Sequence, residues 1–102
     1  MGSQGSAYGR FQKALATGNV AIIDAAAREL PTLSLRDALR IVVAMARNSD
    51  SRYARAAARW AARATAEQGL DVDDARRLLA LLEILPRAPE VVGEELTVLC
   101  RL

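Results

Sequence analysis

One local pattern occurs twice in this chain, 37 residues apart, as SLRDALR at residues 34–40 and as DVDDARR at residues 71–77. Each copy opens on a residue that caps helices well and has an aspartate three positions later, Ser34 with Asp37 and Asp71 with Asp74. Oxygen atoms at these positions can accept hydrogen bonds from the free backbone N–H groups of a first helical turn. A repeat of this length built from helix starts predicts stacked helical hairpins, an architecture that acts mainly by holding partners.

The length and the apolar runs are typical of a small single-domain protein. With 102 residues the chain has room for one core, and its longest apolar runs fall far short of the roughly 20 residues that cross a bilayer. Residues 1–6, MGSQGS, are interpreted as a flexible leader or the remnant of an expression tag. We therefore expect one helical domain over residues 7–102 and no membrane partner. A single cysteine excludes an intrachain disulfide and suits a cytoplasmic location.

The chain contains no histidine, which removes the commonest metal ligand and the commonest general base at neutral pH. A structural zinc site normally takes four Cys or His ligands, and the chain offers only Cys100. We interpret Cys100 as a structural thiol, because it lies on an apolar helix with no histidine to activate it. The sequence therefore predicts a protein that is not an enzyme, with no catalytic residues, no cofactor and no metal.

Six helices are predicted, mostly from the residues that start and stop them. Gly18 and Gly69 suit left-handed helix ends, and a proline such as Pro31 disfavours the α conformation of the residue before it. The predicted helices cover about residues 8–17, 20–30, 34–47, 51–67, 72–85 and 89–99. No segment alternates with period two for long enough to form a strand, so the predicted fold class is all-α.

Apolar residues at helical spacing indicate the expected core. The fifth helix has the widest apolar face, which consists of Val72, Ala75, Leu78, Leu79, Leu82 and Leu85. Trp60 is predicted to be a core anchor, because its alanine-rich helix lets neighbouring helices approach closely and leaves the indole to fill the space. The carboxylates Asp71, Asp73 and Asp74 are explained by helix capping and the helix dipole rather than by metal binding.

Short loops of about two to five residues make consecutive helices antiparallel neighbours, which predicts three hairpins. The third and fifth predicted helices match at the offset of 37, and AAAR occurs at residues 25–28 and again at 56–59. Over about residues 8–102 this pattern resembles the HEAT-like and tetratricopeptide-like families of helical hairpin repeats. The Trp, Gly, Tyr and Pro signature of the tetratricopeptide class is not met. The resemblance implies a stacked array that binds partners, and an irregular six-helix bundle is the alternative.

Four arginines follow one another along the fourth predicted helix at spacings of three, four and four: Arg52, Arg55, Arg59 and Arg63. At about 100° per residue they fall within about 80° of arc, so they form one stripe. A row of guanidinium groups suits an acidic protein surface or the phosphates of a nucleic acid. It is also typical of a solvated face in a chain that uses arginine by default, as in GC-rich bacterial genomes, since Lys13 is the single lysine among 14 basic residues.

Charge is distributed unevenly along the chain. Residues 1–66 carry a net charge of +6 and residues 67–102 a net charge of −4, which together give +2. A basic first part and an acidic last part suit head-to-tail self-association, or a basic surface for one acidic partner.

The sequence therefore predicts a small non-enzymatic interaction module that binds a protein partner or a second copy of itself, with the four arginines as charged contacts. The alternative is a small DNA-binding regulator that uses the same arginine stripe. The low net charge and the lack of a glycine-rich phosphate loop favour the protein partner.

Overall fold

The computed structural model describes residues 6–102, and this range is all-α, as predicted. The six helices are α1 Ala7–Thr17, α2 Val20–Ala27, α3 Leu35–Arg47, α4 Tyr53–Gln68, α5 Val72–Ile84 and α6 Pro89–Leu99, and one 3₁₀ turn, Leu85–Arg87, joins α5 to α6. The predicted leader lies outside the described residues except for Ser6, which caps α1. None of the helices in this range combines the length and the apolar character that crossing a membrane requires.

Side-chain caps begin four of the helices. In each case an oxygen of the residue before the helix accepts a hydrogen bond from the backbone N–H three positions later, and the capping residues are Ser6, Asn19, Ser34 and Asp71. The N–H of Asp37 donates to Ser34 Oγ at 3.1 Å, and the N–H of Asp74 donates to Asp71 Oδ1 at 2.8 Å. Both copies of the repeated sequence pattern are therefore helix starts, as predicted.

Helix ends follow the predicted stop residues with one difference. Gly18 and Gly69 end α1 and α4 with φ of 70° and 59°, a left-handed conformation that favours glycine. The α-helical part of α2 ends at Ala27 rather than at Leu30. Beyond Ala27 the N–H groups of Glu29 and Leu30 donate to carbonyl oxygens three residues earlier, as in a 3₁₀ turn. The α-helix does not continue because the residue before Pro31 disfavours the α conformation.

α3 is the central helix of the bundle. Helices α1, α2, α4 and α6 all pack against it, and α5 packs against α4 and α6. Helices α3 to α6 therefore form a ring of four, in which the backbones of α4 and α6 occupy diagonal corners. The two helices meet only at their ends, where the side chain of Gln68 donates to the carbonyl oxygen of Cys100 at 2.6 Å and Arg101 donates to the carbonyl oxygen of Gln68 at 3.0 Å. The backbones of α1 and α2 approach each other and α3, but within residues 6–102 they do not approach α4, α5 or α6. Membership of a repeat family stays a prediction.

Buried side chains form two clusters on different sides of α3. The larger lies among α3 to α6 and includes Leu39, Trp60, Leu78, Leu85 and Leu96. The smaller lies among α1, α2 and α3 and contains Phe11, Ala14, Ile23 and Ala44. Because α3 contributes to both clusters, it carries apolar side chains over more of its circumference than a helix with one buried face.

Two buried side chains have the roles that the sequence predicts. Trp60 is 3% exposed, and its Nε1–H donates to the carbonyl oxygen of Leu35 in α3 at 2.9 Å. Cys100 is fully buried at the end of α6, and this burial raises the pKa of its thiol. Trp60 is therefore a core anchor and Cys100 a structural thiol, and both predictions are confirmed.

The wide apolar face of α5 is buried only in part. Leu78, Leu82 and Leu85 are buried as expected, but Val72 is 67% exposed and Leu79 is 53% exposed. The latter two side chains lie about 100–120° around the helix from Leu78. Because α5 packs only against α4, α6 and the 3₁₀ turn, its neighbours cover a narrower arc than the apolar residues occupy.

Tyr53 links α4 to α5, since its hydroxyl donates to the carbonyl oxygen of Leu82 at 2.5 Å. Partial burial raises the pKa of Tyr53 to about 12, whereas a tyrosine in an unfolded chain titrates near pH ~10. The folded protein therefore holds this proton more tightly than the unfolded chain. The resulting stability is fully present below about pH 10 and is lost as the pH rises towards about 12.

We expect the free energy of unfolding to fall by about 1 kcal/mol more in the wild-type protein than in Tyr53→Phe between about pH 9 and about pH 11.5, after allowance for solvent around a half-buried ring. Urea unfolding followed by circular dichroism at the two pH values measures this difference. Tyr8→Phe is the control, because Tyr8 is 50% exposed, and it should keep the wild-type pH dependence. The same pH dependence in Tyr53→Phe and in the wild type would contradict the assignment.

Candidate functional site

The four predicted contact arginines lie in three different environments. Arg55 and Arg59 are exposed on α4 and form no ion pair with any residue from 6 to 102. Arg63 pairs with Glu67 one turn later, with Nε 2.6 Å from Oε2. Arg52 lies immediately before α4 and forms ion pairs with carboxylates of the chain. Two of the four guanidinium groups are therefore free to meet a ligand without first breaking an internal ion pair.

Arg52 joins the start of α4 to α2. Its Nη2 lies 2.9 Å from Oδ2 of Asp24 in α2 and 2.9 Å from Oδ2 of Asp50, and its backbone N–H donates to Asp50 Oδ1 at 2.8 Å. The hydrogen bonds from Arg52, first of all from its side chain, lower the pKa of Asp50 to about 2, and the two carboxylates raise the pKa of Arg52. Arg52 is therefore a bridge within the chain.

An open groove of about 490 Å³ runs beside α4, which we call the α4 groove. Its floor is α3, one wall is α4, and the other side is the loop between α2 and α3. Apolar side chains make up most of the lining: Leu33, Ala38, Ile41, Val42, Ala56 and Trp60. Arg59 and Arg63 complete it, so the two arginines border an apolar surface. Arg55 lies one turn before Arg59 on the same stripe and extends the basic edge.

A second and larger groove, of about 740 Å³, lies on α3 between α1 and α6. Its charged side chains largely pair with each other. Arg47 Nε donates to Glu90 Oε2 at 2.8 Å, which lowers the pKa of Glu90. Arg40 bridges Asp37 of its own helix, at 3.4 Å, and Gln12 of α1, at 3.1 Å. The Arg47–Glu90 ion pair and the Arg40–Gln12 hydrogen bond cross the groove and join α3 to α6 and to α1, while Arg36 and Glu94 of its lining have no ion pair with residues 6–102.

Over residues 6–102 no three His, Cys, Asp or Glu side chains come together as a metal site. The buried thiol of Cys100 does not reach solvent. The carboxylates near the start of α5 act as predicted, since Asp71 caps the helix and Asp73 and Asp74 lie in its first turn.

Sequence reasoning missed the apolar half of the α4 groove. Leu33, Ala38 and Ile41 were not among the residues expected to form a functional surface. The available signal was the apolar character of Ala38 and Ile41, which widens the apolar arc of α3. In comparisons with known proteins, the chain matches no protein-family model, no curated protein and no solved structure.

Proposed function

We propose that this chain is a small non-enzymatic binding module that holds the surface of a partner protein in the α4 groove. One observation supports the proposal above the others: an open apolar groove of about 490 Å³ is bordered by Arg59, whose guanidinium group has no ion pair with residues 6–102. Arg55 adds a second unpaired charge one turn away. An apolar surface beside unpaired cations is stabilised when an apolar and acidic surface covers it.

The residue types of the groove match those of protein interfaces. Arginine is enriched at the positions that contribute most to binding, and an apolar centre with a charged rim is the usual arrangement. In the α4 groove the partly exposed side chains of Leu33 and Ile41 supply the apolar centre, while Arg59 and Arg63 supply the rim. The partner surface that fits has apolar side chains at its centre and carboxylates beside them, since a guanidinium group pairs with a carboxylate in bidentate geometry.

Nucleic acid is the competing ligand for the arginine stripe, and two observations make it the weaker candidate. Arg52 already meets two carboxylates, and Arg63 meets one. Trp60 is 3% exposed, so its ring is not available to stack on bases. Phosphate binding also makes no use of the apolar floor of the groove, because it depends on the number of cations that meet the backbone.

The test compares two double variants that remove the same charge from different helices. Arg55→Ala with Arg59→Ala removes the unpaired cations of α4, and Arg76→Ala with Arg77→Ala removes two exposed arginines of α5 that likewise have no ion pair in the described range. Each tagged protein is used to capture partners from a lysate of the source cells, with quantification by mass spectrometry. We expect the α4 double variant to reduce recovery of specific proteins by about tenfold or more, and the α5 double variant to leave recovery unchanged.

DNA binding is measured in parallel from the anisotropy of a labelled duplex at several salt concentrations. We expect weak binding that the α4 double variant does not change. If the affinity instead falls steeply with salt and the α4 double variant reduces that slope by about two, the stripe contacts phosphates and the protein-binding proposal is wrong. If neither partner recovery nor DNA binding changes, the stripe is a solvated face and the proposal is also wrong.

A further inference from the structure

α6 presents an exposed strip in which two glutamates lie between two valines along the helix. Val91 is 65% exposed and Val98 is 75% exposed, and Glu94 and Glu95 lie between them. At about 100° per residue the four positions share about 100° of arc, which we call the α6 strip. Neither glutamate forms an ion pair with residues 6–102, whereas Glu90 of the same helix pairs with Arg47.

Val91, Glu95 and Val98 of the α6 strip lie on the side of α6 away from α3, and Glu94 also lines the larger groove on α3. Gly93 marks the side of α6 that approaches α3, because a Cβ atom added there would lie 3.4 Å from Cγ2 of Val43. Val91 lies about 160° from Gly93 around the helix. Valine side chains exposed to this degree leave most of their apolar surface for another molecule to cover.

The α6 strip and the α4 groove have complementary chemistry and matching length. The strip carries two unpaired carboxylates between two valines, and the groove offers an apolar floor with the unpaired guanidinium groups of Arg55 and Arg59 along its edge. Val91 and Val98 are seven residues apart, which spans about 10.5 Å of helix. On α4, Ala56 and Arg63 mark the two ends of the groove lining and are also seven residues apart.

These two surfaces cannot meet within one molecule. α4 and α6 occupy diagonal corners of the four-helix ring, with α3 and α5 between them. A contact between the strip and the groove therefore joins two molecules through different patches. Such a contact leaves a free groove at one end of the pair and a free strip at the other, so it continues as a chain or closes as a ring.

We propose that the partner held in the α4 groove is the α6 strip of a second copy of this chain, and that the copies associate head to tail. This inference rests on the proposed function, because it assigns an occupant to the same groove. The charge distribution supports it, since residues 1–66 carry +6 and residues 67–102 carry −4. Glu94 and Glu95 approach Arg55 and Arg59, while Val91 and Val98 cover the apolar floor. The groove is short, so the association is weak, on the order of 100 μM, and it weakens as salt screens the ion pairs.

Sedimentation velocity of the full chain at concentrations up to about 1 mM tests the inference with two charge reversals, one on each surface. Arg59→Glu damages the groove and leaves the strip intact, and Glu95→Arg damages the strip and leaves the groove intact. We expect each variant alone to associate at least about tenfold more weakly than the wild type. An equimolar mixture should associate again, because the intact strip of Arg59→Glu meets the intact groove of Glu95→Arg and the two reversed charges are also complementary to each other.

Glu83→Arg, which reverses an exposed charge on α5, is the matched control and should associate as the wild type does. Thermal melts establish that the variants are folded, and Arg55→Glu with Glu94→Arg provides a second pair. A wild-type protein that stays monomeric at the highest concentration, a single reversal that leaves association unchanged, or a mixture that stays monomeric would each overturn the inference. In those cases the proposed function still stands if the chain captures other proteins and changing Arg55 and Arg59 reduces that capture. If no such protein is captured, the proposed function fails together with the inference.

Discussion

Replacing Trp60 with alanine should reduce the free energy of unfolding by about 3–5 kcal/mol, a large part of the ~5–15 kcal/mol that stabilises a small domain. The side chain is 3% exposed, and its Nε1–H is bonded to the Leu35 carbonyl oxygen. Its buried neighbours along α4 are Ala57, Ala61 and Ala64. Because these methyl side chains cannot extend into the space that the indole leaves, most of the cavity should remain open, which puts the cost in the upper part of the usual range.

Urea unfolding followed by far-UV circular dichroism measures this loss, since Trp60→Ala has no tryptophan left to fluoresce. Trp60→Phe is the matched control, because it keeps most of the apolar volume and removes the hydrogen bond to Leu35. We expect it to cost clearly less, about 1–2 kcal/mol. In the wild-type protein the emission of Trp60 should be that of a buried indole. A loss below about 1 kcal/mol together with an exposed emission spectrum would show that Trp60 is a surface residue of the α4 groove.

Replacing Phe11 with alanine should loosen α1 and α2 while the ring of α3 to α6 keeps its structure. Phe11 is fully buried and is the only aromatic side chain in the cluster that it forms with Ala14, Ile23 and Ala44. Its loss costs about 3–5 kcal/mol. The backbones of α1 and α2 approach no other helix than each other and α3 in the described range. The cost therefore falls on the attachment of this helix pair to α3, and the pair should open locally before the rest of the chain unfolds.

Hydrogen exchange resolved by peptide measures this effect. In Phe11→Ala we expect the amide groups of α1 and α2 to exchange about 100-fold faster or more, and those of α4 and α5 to keep the wild-type rates. Tyr8→Ala is the control, because Tyr8 lies one turn away with its ring centroid 6.2 Å from that of Phe11 but is 50% exposed. It should change exchange far less. An equal increase over all six helices would show that the two clusters unfold as one cooperative unit.

The α4 groove and the α6 strip show which properties of a binding site a sequence pattern predicts and which it does not. The spacing of the four arginines places them on one face of one helix, because that property depends only on helical geometry. Whether each guanidinium group is free depends on carboxylates elsewhere. Asp24, which meets Arg52, lies in another helix, and no local pattern indicates that it will be there. The apolar half of the groove likewise comes from α3 and from the loop before it.

The sequence by itself determined the helices and their limits. Ser34 and Asp71 cap the helices that follow them, Gly18 and Gly69 end the helices before them, and these interactions span only three or four residues. The burial of Trp60 was likewise determined, since a large indole among alanines has its lowest free energy in the core.

Only the tertiary structure decided that α3 is the central helix, that α4 and α6 lie at diagonal corners, and that Val91, Val98 and Leu79 face solvent. Apolar periodicity indicates which side of a helix is apolar, but not how many neighbours cover that side. The number of neighbours is set by the packing of all six helices around two clusters, a balance of contacts between residues far apart in the chain.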